Sequence, residues 1–291
     1  GGAAGVAPQA PRFRSADAGQ PMGNALAFPA PHNTKEYYDR VFRRPDVLSL
    51  TTTAGEQIPA CYIKPREASS RAFTMLYSHG NAEDLAEAVE YGYVSELARA
   101  TGTHVFAYEY VGYSTSRHRG DTPSEEGCLR SIDAAWRYLV DDCKVPPQRI
   151  IIFGRSIGSG PTVDLASREK VEGCSKSPLD AAGVLLQSPI ESGGRAVAPE
   201  SVSGVISWVG YRLDLFRNYE KIDRITAPVA IMHGTADKVV PVQNGKNLFG
   251  MLQQQDYAPE WMEGYGHNDM PQARCFAYAR KFVEHLERGQ R

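Results

Sequence analysis

The chain contains no apolar run near the ~18 residues that a membrane-spanning helix needs. It also lacks a strong excess of one charge: 32 Lys and Arg stand against 34 Asp and Glu over 291 residues, a formal net charge of −2. That balance argues against nucleic acid as a partner, which would call for a basic surface. Cysteine is scarce. Cys61, Cys128, Cys143, Cys174 and Cys275 are scattered and odd in number, which suits neither a disulfide framework nor, with no His/Cys grouping at ligand spacing, a zinc site. No metal and no cofactor is implied. Free thiols and the lack of a secretory pattern at the start point to a reducing, cytoplasmic setting.

What is present reads as one enzyme-sized domain. Residues 1–35 are rich in Gly, Ala and Pro and are expected to be disordered, apart from a docking of 26–31. Residues 36–291 are expected to form a single α/β unit. Two strand patterns, 47–53 and 58–64, flank Ala54-Gly55-Glu56 and suit an antiparallel hairpin. Strands and helices then alternate: strand 73–78, helix 83–100, strand 104–110, helix 123–141, strand 149–154, helix 157–169 and strand 183–188. Strand 228–233, helix 242–254, strand 258–263 and helix 271–288 follow a long segment at 191–221. Such alternation predicts a mostly parallel sheet covered by helices on both faces, with the hairpin as its antiparallel edge.

The chemistry concentrates at Gly154-Arg155-Ser156-Ile157-Gly158, between the apolar run ending at Phe153 and a helical pattern. A serine on a strand-to-helix turn, flanked two residues away by Gly154 and Gly158, is a nucleophile elbow, the signature of the α/β-hydrolase fold. A serine hydroxyl is a poor nucleophile at neutral pH and needs a base, which in turn needs an orienting acid. In this fold the acid and base follow the serine in that order. Asp237 falls just past the 228–233 strand, and His267 lies on a glycine-rich loop after the last strand pattern. Asp269 reads as a helix N-cap before Pro271. His79 and His233, each in a His-Gly pair at a strand end, read as structural. Two backbone N–H groups should meet the oxyanion of the tetrahedral intermediate. One belongs to Ile157 and the other to Asn81 or Ala82, after the 73–78 strand. Glu83 and Asp84 read as acidic residues that complement a helix N-terminus.

At this point the chain resembles the α/β-hydrolase-domain-containing protein 17 family, protein depalmitoylases of the serine hydrolase class. The resemblance rests on Tyr77-Ser78-His79-Gly80-Asn81-Ala82, Glu109-Tyr110-Val111-Gly112-Tyr113-Ser114, Asp133-Ala134-Ala135-Trp136 and Ser156-Ile157-Gly158. It continues through the 161–168 helix, Gln187-Ser188-Pro189, His233-Gly234-Thr235 and Gly266-His267-Asn268-Asp269. It implies Ser156 as nucleophile, Asp237 as acid and His267 as base, and an S-palmitoylated protein cysteine as substrate. Members of that family carry an N-terminal cysteine cluster that is itself palmitoylated and holds the enzyme at membranes. Here no cysteine precedes Cys61, so only a weak, salt-sensitive peripheral contact at the cytoplasmic membrane face is expected.

The extra sequence at 191–221 is expected to cap the serine and hold an acyl chain, with Val205, Trp208, Leu215 and Phe216 as pocket residues. The expected function is cleavage of acyl esters or thioesters through an acyl-enzyme. A peptidase or small-ester hydrolase is the second reading, because the same three residues serve all of these reactions. A catalytically idle scaffold is the third, and the presence of Ser, Asp and His together speaks against it.

Overall fold

The computed structural model describes residues 28–65, 72–197 and 214–289. Helix α1 (Lys35–Val41) is capped by Thr34, whose side chain accepts the Tyr37 N–H. Strands β1 (Val47–Thr51) and β2 (Gln57–Ile63) pair antiparallel around a turn with Gly55 at φ 88°. Then follow β3 (Thr74–Ser78), α2 (Leu85–Glu90), α3 (Tyr93–Thr101), β4 (His104–Tyr108), α4 (Ser114–His118) and α5 (Glu125–Arg137). The second half runs β5 (Ile150–Arg155), α6 (Ser159–Ala166), β6 (Gly183–Gln187), α7 (Gly193–Val197), β7 (Val229–Gly234), α8 (Val242–Met251), β8 (Glu260–Met262) and α9 (Gln272–Gly289).

The strands form one eight-stranded sheet in the order β1-β2-β4-β3-β5-β6-β7-β8. β4 pairs antiparallel with β2, and every later pair is parallel, as the alternating pattern predicts. Strand alternation divides the buried side chains between two clusters. Leu76, Phe106, Ile152, Leu186 and Ile231 pack with α5 and α6 on one face. Met75, Val105, Phe153, Leu185 and Met232 pack with α2, α3 and α9 on the other. Burial on both sides explains why β3, β5, β6 and β7 read as unbroken apolar runs. All the parallel strands end on one edge, so the loops after β3, β5 and β7 meet there, as ligand sites in open α/β sheets do.

Several boundaries differ from the sequence expectation for identifiable reasons. The helix expected over 83–100 is broken by Gly92, which adopts φ 81° and starts α3. The helix expected over 157–169 opens instead with a tight 3₁₀ turn, Ser156–Gly158. The folded unit includes residues before 35, in keeping with the docking expected for 26–31: Phe28 is buried and meets Phe216 edge to face at 6.2 Å.

Candidate active site

Strand β5 delivers Ser156 to the carboxyl edge in a left-handed backbone conformation, φ 53°, which costs an L-residue about 1–2 kcal/mol. The flanking glycines make the turn possible. A Cβ on Gly154 would lie 2.5 Å from the Gly158 carbonyl oxygen, and one on Gly158 would lie 2.3 Å from that of Ser78. The elbow is therefore pressed against the end of β3. Ser159 Oγ donates to the Ser156 carbonyl at 2.6 Å and accepts the Ile190 N–H at 3.1 Å, tying the turn to the segment after β6.

Ser156, His267 and Asp237 come together in line, although 111 and 30 positions separate the successive pairs in the chain. His267 Nε2 is 2.9 Å from Ser156 Oγ, and Nδ1 is 2.7 Å from Asp237 Oδ2. A carboxylate only accepts, so Nδ1 carries the proton in the neutral ring and Nε2 offers its lone pair to the serine. Asp237 is fixed by its own loop: Oδ1 accepts the N–H groups of Val239 at 2.9 Å and Val240 at 2.8 Å. Its Oδ2 also meets His233 Nε2 at 3.3 Å. Burial alone would raise the Asp237 carboxyl, but hydrogen bonds from His233 and His267, the His267 charge and the Val240 N–H hold it well below the usual carboxylate range. The loops of Asp237 and His267 are stitched together by Ala236 N–H to the Tyr265 carbonyl, 2.9 Å. Gly234 permits this approach, since a Cβ there would lie 2.2 Å from that same carbonyl oxygen.

The loop after β3 carries Asn81 and Ala82. Asn81 Oδ1 accepts the Tyr113 hydroxyl at 2.8 Å, and Ala82 takes a left-handed φ of 53°. Beneath it lies a buried ionic pair: His79 Nε2 is 2.9 Å from Glu109 Oε1, and His79 Nδ1 is 2.9 Å from the Gly80 carbonyl. Both partners are placed to accept, an arrangement that favours the doubly protonated ring. Burial would depress the His79 imidazolium, yet the Glu109 charge and hydrogen bond, with the Gly80 carbonyl and the Asp84 charge, raise it above the usual histidine value. Glu109 also accepts the N–H groups of Leu85 and Tyr110, each at 3.0 Å. Sequence reasoning passed over Glu109. Its signal was a carboxylate directly after the apolar run 105–108 of β4, a residue that could be buried only with partners.

Three expectations are corrected. Asp84 does cap α2, accepting the Glu87 N–H at 2.8 Å, but Glu83 turns back to accept the Gly80 N–H at 3.1 Å. Asp269 is not an N-cap: α9 begins at Gln272, and Asp269 closes the His267 loop by accepting the Gly266 N–H. Phe216 is not a pocket wall. It is 1% exposed and its ring fills the space that Gly160 leaves, where a Cβ would come within 2.3 Å of it. Leu215 is partly buried against Gly193. Val205 and Trp208 lie outside the described residues.

The sheet order and the elbow at the end of β5 define an α/β hydrolase. The chain belongs to the alpha/beta hydrolase domain-containing protein 17 family. It is 37% identical over 219 residues to alpha/beta hydrolase domain-containing protein 17B of Xenopus laevis, covering 75% of this chain and 68% of that protein. To the human protein 17C it is 33% identical over 251 residues, 86% of this chain and 69% of the relative. A family model described as Chlamydia CHLPS protein (DUF818) matches residues 58–177. Among solved structures, a Pyrococcus furiosus esterase shares the fold at TM-score 0.60 and 16% identity, over 89% of this chain and 96% of that one. Among the described residues no helix is long and apolar enough to cross a membrane.

Proposed function

We propose that this chain is a serine hydrolase that cleaves acyl thioesters and esters through an acyl-enzyme, and that it removes palmitoyl groups from S-acylated protein cysteines. The observation that carries the reaction class is the in-line contact of Ser156 Oγ, His267 and Asp237 at 2.9 and 2.7 Å. The resemblance to the protein depalmitoylases of that family supports the substrate class. Ser156 Oγ attacks the thioester carbonyl carbon as His267 Nε2 takes its proton. The oxyanion is met by the Ile157 N–H and by that of Asn81 or Ala82. Collapse breaks the C–S bond, the thiolate leaves with the proton from His267, and the acyl group stays on Ser156. His267 then takes a proton from water, which attacks the acyl ester. The fatty acid departs and the proton returns to Ser156. Asp237 holds the imidazole orientation and stabilises its cationic form throughout. Contact with the membrane that carries the substrate is peripheral and salt-sensitive.

The test is fluorophosphonate labelling followed by a panel of thioester, ester and peptide substrates of graded acyl length. Wild type should label at Ser156 and Ser156→Ala should not, with kcat lower by roughly 10³-fold or more. Long-chain thioesters should be preferred, each added CH₂ gaining up to ~0.8 kcal/mol until the acyl site is filled. Equal rates for acetyl and palmitoyl thioesters would remove the depalmitoylase reading, and turnover of peptides alone would replace it with a peptidase.

A further inference from the structure

Arg155 stands next to the proposed nucleophile and reaches both of the other loops that build the site. It is the last residue of β5. Ile151 and Phe153 pack on the α9 face of the sheet, so by strand alternation the Arg155 side chain leaves on that same face. Its Nη1 pairs with Glu83 Oε1, on the loop that carries Asn81 and Ala82. Its Nη2 donates to Asn268 Oδ1 at 3.1 Å, beside His267. Glu83 passes the link on: its second oxygen accepts the Gly80 N–H at 3.1 Å. Position 80 is glycine, and a Cβ there would sit 3.3 Å from the carboxylate, a tight contact that would shift it by a few tenths of an ångström. One guanidinium thus joins the serine turn, the oxyanion loop and the base loop.

We infer that Arg155 is a positioning residue for the acyl-transfer step, holding the oxyanion loop through Glu83 and the His267 loop through Asn268 at fixed distance from Ser156; this rests on the serine-hydrolase reading above. Two facts favour positioning over plain stability. The pair is partly open to water, with Arg155 and Glu83 side chains 18% and 31% exposed, and ion pairs in contact with solvent add little to stability. The link also needs two divergent donors from one rigid plane, which arginine has and lysine lacks.

Arg155→Lys and Glu83→Gln test it. Both should fold, with melting temperatures near wild type. Each should lower kcat and the fluorophosphonate labelling rate by a common factor, on the order of 10-fold to 100-fold, as small misplacements of reacting groups do, with KM little changed. The double variant should lose little more than Arg155→Lys alone, because Glu83→Gln cuts one of the two links that Arg155→Lys already cuts. Folded variants that label and turn over at wild-type rates would overturn the inference. So would a rise in KM at constant kcat, which would make Arg155 a substrate-binding group, or fully multiplicative losses in the double variant. Failure of the wild type to label at all would instead sink the serine-hydrolase reading, so the two failures are separable.

Discussion

At the scale of single residues, Ser156 places the proposed nucleophile on a strained backbone. Its φ of 53° is one that glycine adopts freely and alanine does not. Two inactive variants should therefore differ in stability: Ser156→Gly should exceed Ser156→Ala by about 1 kcal/mol, read as a higher denaturation midpoint at equal m-value. Equal midpoints would mean that the turn relaxes without the serine. Asp237 provides a second residue-scale expectation. In Asp237→Asn the amide can turn an N–H towards His267 and fix the wrong ring tautomer, so kcat should fall by about 10⁴-fold while KM moves little. Loss through Asp269, on the same loop as His267, would instead relocate the acid.

At the scale of elements, the residues of the proposed triad were legible because each sits where a strand pattern ends. Ser156, Asp237 and His267 could be read from chain order and strand ends, and the structure brings the three side chains into contact. Side-chain destinations were less legible. Phe216 belongs to an apolar stretch that could face a ligand or the sheet, and only the space at Gly160 decides between them. The choice has an energetic consequence. Phe216→Ala should destabilise by about 3–5 kcal/mol, as emptied aromatic core sites do. Gly160→Ala should also destabilise, because overpacking of about 1–3 kcal/mol exceeds the helix-propensity gain of about 1 kcal/mol. The two should not add: Phe216→Ala removes the ring atoms that a Cβ at position 160 would meet at 2.3 and 2.4 Å and leaves only the Phe216 Cβ at 2.8 Å, so the cost of Gly160→Ala should shrink in that background. Additive losses in denaturant titrations would show that the ring does not press on Gly160.

At the scale of the whole molecule, sheet order and the two covered faces follow from alternation of strands and helices. The polar network under the loop after β3 does not, since it joins residues from separate elements: His79 after β3, Asp84 at the start of α2, Glu109 after β4 and Tyr38 in α1. This network makes stability depend on pH. The His79 imidazolium is raised by Glu109, so its contribution is fully present below the unfolded histidine value of about 6.5 and is lost as pH rises through the folded value. Asp84, pushed up to about 6 by burial and then by the Glu109 charge, acts in the same sense over a lower window. Its folded form holds the extra proton, and stability falls between about pH 4, the ordinary aspartate value, and 6. Asp237 acts oppositely: its depressed carboxyl adds stability above the ordinary aspartate range and loses it in acid. His79→Gln removes only the first of these directly. The stability gap between wild type and His79→Gln should be widest near pH 6 and narrow towards pH 9, measured by denaturant unfolding across that range. A gap constant from pH 6 to 9 would show that His79 does not change its protonation on unfolding over that range.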